Sequence, residues 1–289
     1  MITPWLSALV HSNFFIALSA VALTLETQVQ LGLKPHAHPY LFLIFFATLF
    51  DYNLHRLITL IFVPEALQDE KYAWLKEHKR VFLFMVVFSV TGFGFTLSQA
   101  KKEVLLTLAP LAAIALFYST PVWHLGKRLF RLREIPYLKI FLIALVWSGV
   151  TVLLPAIHTG KPWNLNQITM LLAERFFFIL AITMPFDIRD LDVDQKADLK
   201  TLPMLFKKSN PLVISYLSLV VFGLIAVFHY FGLGKNYIAV ALLFSALTTT
   251  WFLVNKNIRA LPLYHQGILD GTLWLQGMLV LLFYFVFGP

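Results

Sequence analysis

The chain has no cysteine, which excludes disulfides, thiol nucleophiles and cysteine-held metals and leaves the redox compartment open. Charge is scarce as well. Asp, Glu, Lys and Arg make up 13% of the 289 residues, whereas hydrophobic residues make up 59% and mean hydropathy is +0.75. Soluble domains carry about 25% charged residues, so an ordinary soluble protein is excluded. No Lys or Arg precedes Lys34, so the first apolar stretch lacks the basic start of a signal peptide and reads as a spanning helix. No Gly/Ser/Pro-rich linker and no internal repeat divides the sequence, so residues 1–289 read as one domain. The apolar segments also lack the in/out alternation of a transmembrane barrel.

Long hydrophobic runs are present in their place. Stretches at 6–25, 39–63, 80–97, 104–120, 138–157, 167–187, 211–231, 236–254 and 268–287 each approach the roughly 20 residues that a crossing needs. The fold class expected is all-α: a polytopic bundle of nine transmembrane helices. The net charge of +8 would suggest nucleic acid in a soluble protein, but its distribution assigns it to membrane orientation. Of the 23 Lys and Arg, 17 fall in or beside the loops after spans two, four, six and eight; five fall on the opposite side, and Arg175 lies inside a span. The positive-inside rule places the N-terminus and the basic loops in the cytoplasm and the C-terminus outside. The localisation expected is a bacterial inner (plasma) membrane, with membrane lipids as partners and no nucleic acid. Glu174 and Arg175, inside span six, each require a partner within the bundle, and a structural ion pair is favoured over catalysis.

The densest acidic run, PFDIRDLDVDQKADLKTLP at 185–203, follows the sixth span. Asp187, Asp190, Asp194 and Asp198 are spaced 3, 4 and 4 apart; a continuous helix would put them on one face, within about 80° at roughly 100° per residue, with Asp192 elsewhere. Two readings stay open from spacing alone. One is a solvated acidic loop. The other is a site for a hard divalent cation held by oxygen ligands, and Mg²⁺ is the usual choice beside phosphate.

RDLDVDQKADLKTLP, residues 189–203, resembles the second aspartate-rich motif of the UbiA superfamily of intramembrane prenyltransferases, D-x-x-x-D-x-x-x-G-x-x-T-L-P. Asp190 and Asp194 match the motif's metal-binding aspartates, Thr201, Leu202 and Pro203 match its tail, and Asp198 replaces its glycine. FYSTP at 117–121, followed by Lys127, Arg128, Arg131 and Arg133, is similar to the end of the family's fourth helix and its basic loop. KIFLIALVW at 139–147 resembles its fifth helix.

The first motif departs from the family pattern N-x-x-x-D-R-x-x-D. In DYNLHRLIT, residues 51–59, Asp51 stands for the Asn, His55 for the first Asp and Thr59 for the last, while Arg56 matches. A second register aligns Asp51 with an Asp of N-D-Y. In both, helix two is poorer in acid than a two-ion magnesium clamp requires.

The resemblance implies a bundle around a central cavity and a Mg²⁺-dependent enzyme. It would move an isoprenyl group from an isoprenyl diphosphate to an aromatic or other lipophilic acceptor. It implies Asp187, Asp190 and Asp194 as metal ligands; Asp190, Asp194, Asp51 and His55 as catalytic residues; and Asn53, Arg56, Tyr118, Lys127, Arg128 and Lys139 as substrate contacts. Two rivals use the same fold: a noncatalytic isoprenoid or lipid binder or assembly protein, favoured by the eroded first motif, and a terpene cyclase that needs no acceptor. A CDP-alcohol phosphotransferase requires D-G-x-x-A-R; Asp270 and Gly271 are followed by TLWL instead.

Overall fold

The computed structural model describes residues 4–62, 72–120, 123–125, 128–159, 162, 164–196, 199–206 and 210–288. With no water in the bilayer core, each apolar run must satisfy its own backbone polar groups, and it does so as helix. The helices are α1 (Pro4–His11), α2 (Phe14–Gln30), α3 (Tyr40–Phe62), α4 (Ala73–Glu77), α5 (Lys79–Ser98), α6 (Lys102–Ser119), α7 (Lys139–His158), α8 (Leu165–Arg189), α9 (Leu191–Lys196), α10 (Val213–Gly232), α11 (Asn236–Val254), α12 (Lys256–Arg259) and α13 (Asp270–Phe287). Between α6 and α7, a part of the long basic loop forms a small antiparallel hairpin, β1 (Trp123–Leu125) with β2 (Arg128–Phe130). Among the described residues, eight helices are long and apolar enough to cross a membrane, and a ninth crossing forms if the bent pair α1–α2 is one span. The chain is a multi-pass membrane protein.

The expected first span is broken. α1 and α2 meet at 68°, with Asn13 at the break in the left-handed region, φ 65°. Asn13 Nδ2 donates to Asn53 Oδ1 at 3.1 Å, and Arg56 Nη1 donates to the His11 carbonyl, one of the acceptors that a helix end leaves open. Thus α3 anchors the bend. The polar loop after the second span, residues 64–79, lies partly outside the described residues. Its described part includes α4, where Leu75 is buried and the Trp74 ring stacks on His11 at 5.6 Å.

In the bundle α2 packs on α13, α7 on α8, α8 on α10, and α11 on α13, with α5 against α3 and α6 against α7. The α2–α13 approach depends on Gly277, where an added Cβ would lie 2.5 Å from the Ala22 carbonyl oxygen. Between α2, α8 and α13 lies a wholly buried polar network. Arg175 Nη2 pairs with Glu26 Oε1 at 2.9 Å. Gln30 Nε2 donates to Glu174 at 2.7 Å and to Glu26 at 3.0 Å, and Gln276 Nε2 donates to Glu26 at 3.0 Å. Arg175 therefore has a partner, as its position required, but the partner is Glu26 rather than neighbouring Glu174.

Candidate active site

The acidic run is not one continuous helix. α8 ends at Arg189, Asp190 forms its C-cap, and α9 begins at Leu191. Asp187 and Asp194 nevertheless converge. Both reach the ammonium of Lys139, at 2.8 Å from Asp187 Oδ1 and 3.1 Å from Asp194 Oδ2. Two residues seven apart share a helical face, and the small turn at Asp190 keeps that register. Asp190 turns aside to its neighbour, with Arg189 Nε 2.8 Å from Asp190 Oδ1, while the Arg189 guanidinium lies 5.2 Å over the Phe186 ring. Asp192 is exposed. Asp198 lies outside the described residues.

Lys139 is placed by backbone as well as by charge. It opens α7, two residues after Tyr137, whose φ is 63° and whose N–H donates to the Lys200 carbonyl at 2.9 Å. The start of α7 is thereby fastened to the strand of chain that follows the aspartates. The T-L-P tail then continues as a 3₁₀ turn, Leu202–Phe206, with Thr201 and Pro203 buried.

The two motifs face each other across Tyr118. Its ring centroid is 5.8 Å from that of His55, and its hydroxyl lies in electrostatic range of Lys139, Arg133, Asp187 and Asp194. His55 Nε2 is 3.2 Å from Asp51 Oδ1. Thr59 turns its hydroxyl back and donates to the His55 carbonyl at 2.8 Å. Asn53 and Arg56, expected to touch substrate, are engaged at the α1–α2 bend. Arg128 is placed by its backbone in β2, and Lys127 lies outside the described residues.

An apolar cavity of about 420 Å³ runs between α3, α5, α6 and α7, lined by residues such as Leu43, Ala47, Phe50, Leu108 and Val150. Among its lining residues Asp51 is the one acid. Tyr52 and Trp147, which pack edge to face at 6.4 Å, separate this cavity from a second one of about 30 Å³. That volume holds about one water. Asp270, the first residue of α13, lines it, carried there by a π-helical segment, Tyr264–Leu269, entered through Leu263 at φ 60°. Sequence reading used Asp270 only to reject a rival motif. The signal that would have found it is an aspartate inside an apolar run, which in a membrane marks a functional position by default.

The side chains do not fit a two-ion magnesium clamp. Among the described residues no three His, Asp or Glu converge on one point. Asp187 and Asp194 hold an ammonium, Asp190 holds a guanidinium and Asp51 holds an imidazole.

This architecture resembles solved membrane-protein structures. A UbiA homolog from Aeropyrum pernix K1 in the apo state superposes with a TM-score of 0.62 at 14% identity, covering 96% of this chain and 97% of that one. A UbiA homolog from Archaeoglobus fulgidus bound to GPP and Mg²⁺ gives 0.60 at 16% identity, covering 94% and 99%. A UbiA homolog from Archaeoglobus fulgidus bound to Cd²⁺ gives 0.59 at 16% identity, covering 94% and 98%. These likenesses concern the fold. No curated protein matches the sequence. The UbiA prenyltransferase family matches residues 76–261, well over half the chain and inclusive of the second aspartate motif; the chain belongs to that family.

Proposed function

We propose that the chain is an intramembrane prenyltransferase whose donor is an isoprenyl diphosphate. The apolar tail lies in the 420 Å³ cavity, a volume within the range of about 300–1,000 Å³ typical of small-molecule sites. The diphosphate lies at the Asp51 end, where Lys139, Arg133 and Arg189 supply positive charge. Lys127 and Arg128 enter this reading through the resemblance of the basic loop alone. Asp187, Asp190 and Asp194 hold and aim the cations, and Tyr118 closes the gap between the two motifs. Asn53 and Arg56 act at one remove, by fixing the bend of α1 beside α3. The Archaeoglobus homolog holds Mg²⁺ together with GPP; in this reading the charge of the diphosphate is offset by the fixed cations of the site.

The observation that carries the reading is the cavity itself. It is apolar along its length, and its one acidic lining residue belongs to the first motif. In the reaction the C1–O bond breaks and its electron pair leaves with the diphosphate, where fixed cations offset the developing charge. The allylic cation is held against the aromatic faces of Tyr52 and Trp147. A lipophilic acceptor forms the new bond to C1 and loses a proton, for which Asp270 in the adjoining small cavity is the acceptor group.

Mass spectrometry of purified protein incubated with geranyl, farnesyl and geranylgeranyl diphosphates tests this. Diphosphate together with a prenylated acceptor supports transfer. Diphosphate with a cyclised hydrocarbon and no acceptor supports the cyclase reading, and no diphosphate under any condition supports a binder. The cavity assignment has its own check. Ala47 lines the cavity one turn before Asp51 on α3, so Ala47→Phe should weaken binding of geranylgeranyl diphosphate about tenfold more than that of dimethylallyl diphosphate.

The same reading places the aspartate face in the cytoplasm, by the 17-to-five distribution of Lys and Arg. Topology reporters fused to the C-terminus and inserted after Asp194 should respond oppositely. Equal responses would overturn both this orientation and the odd number of crossings.

A further inference from the structure

We propose that the Lys139 ammonium is the resident cation of this site, standing where a divalent ion would otherwise bridge Asp187 and Asp194, and that the chain therefore binds an isoprenyl diphosphate without metal. The inference rests on the functional reading above and specifies how its site handles charge.

Three observations converge. The first is geometric: one Nζ lies 2.8 Å and 3.1 Å from carboxylates of two different helices, with all three side chains mostly buried. An ammonium is a compact point charge with three donors. Two are directed at Asp187 and Asp194, which leaves one for a phosphate oxygen. The second is the opposite wall. A divalent ion bridging both motifs needs acids from α3, and there His55 and Thr59 replace the family's two; the one acid that remains, Asp51, is paired with His55. The third is the backbone. Tyr137 in a left-handed conformation, bonded to Lys200, fixes the start of α7 against the aspartate segment, so the ammonium is held there by the main chain as well as by attraction. A fixed cation needs no recruitment, and it suits a site whose first motif keeps one acid, Asp51, in place of two.

The experiment uses the purified full chain in lipid nanodiscs, titrated with geranyl, farnesyl and geranylgeranyl diphosphates in EDTA and in Mg²⁺, alongside Mn²⁺ binding followed by electron paramagnetic resonance. In the wild type, EDTA should change the tightest dissociation constant by less than about threefold. Lys139→Met should weaken binding in EDTA by about 10- to 100-fold, the worth of a charge-assisted hydrogen bond. It should also bind Mn²⁺, seen as a loss of the free ion's six-line spectrum that the wild type does not cause, because Asp187 and Asp194 are then free. Lys139→Arg, which keeps the charge, should retain binding in EDTA and leave the free-ion spectrum intact. Wild-type binding seen only with Mg²⁺ would overturn the inference and leave the prenyltransferase reading standing. Failure to bind any of the three diphosphates in either condition would overturn both. The wild-type arm decides the matter even if a Lys139 variant does not fold.

Discussion

Asp194→Asn should slow diphosphate release from an isoprenyl diphosphate by about 100-fold, the scale of losing one aimed electrostatic partner, while Asp192→Asn leaves the rate unchanged. Two residues apart, these carboxylates have different surroundings. Asp194 is buried and is one of two groups that direct the Lys139 ammonium; Asp192 is exposed on the other side of α9. Without Asp194 the ammonium is drawn toward Asp187 alone and no longer points at the leaving oxygen. The effect should therefore fall on turnover more than on the dissociation constant, since the positive charge remains. Stopped-assay measurement of released diphosphate, with binding measured in parallel, separates the two. Equal sensitivity of Asp192 and Asp194 would show that α9 does not present Asp194 to the site.

The second large effect is on stability. Arg175→Met removes the cation paired with Glu26 from a buried network that keeps Glu26 and Glu174, and breaking a buried pair from one side costs about 3–5 kcal/mol. The variant should show a sharply lowered apparent unfolding temperature in detergent. Adding Glu26→Gln to it should restore much of the loss, because an amide in place of the carboxylate removes the charge that Arg175 paired. No such recovery would mean that Arg175 acts through its other contacts, the Leu23 carbonyl and Gln30.

Span number, helical class and the second motif could be read from the chain, because each is a local property: the length of an apolar run, or the spacing of acids along one helix. Asp187 and Asp194 share a partner, but across a break between α8 and α9 that turns Asp190 aside and that the one-face reading of the aspartates lacked. What escaped was set by packing. Glu26 lies in an apolar run where one acid among seventeen residues raises no pattern, and its partner Arg175 comes from another helix altogether. The bend at Asn13 depends on Asn53 and Arg56, which are one turn of α3 and not neighbours in sequence. Lys139 resembled a substrate contact, yet its nearest groups are the aspartates themselves. Asp270 reaches the site only because a π-helical segment rotates the start of α13, and no periodicity in the sequence announces that extra residue per turn.

The polar network also sets an order of assembly. Glu26 is made early in synthesis, Glu174 and Arg175 midway, and Gln276 in the last helix. Until α13 arrives, Glu26 lacks one of its donors, and α2 lacks the glycine-lined surface of Gly277 against which Ala22 seats. The nascent bundle must therefore hold two acids and an arginine in or near the bilayer with their shell incomplete, either lodged near the headgroups or shielded by the insertion machinery. Closure of the α2 face waits for α13. A ribosome-stalled chain ending before residue 270 should accordingly remain open to proteases that the finished protein resists.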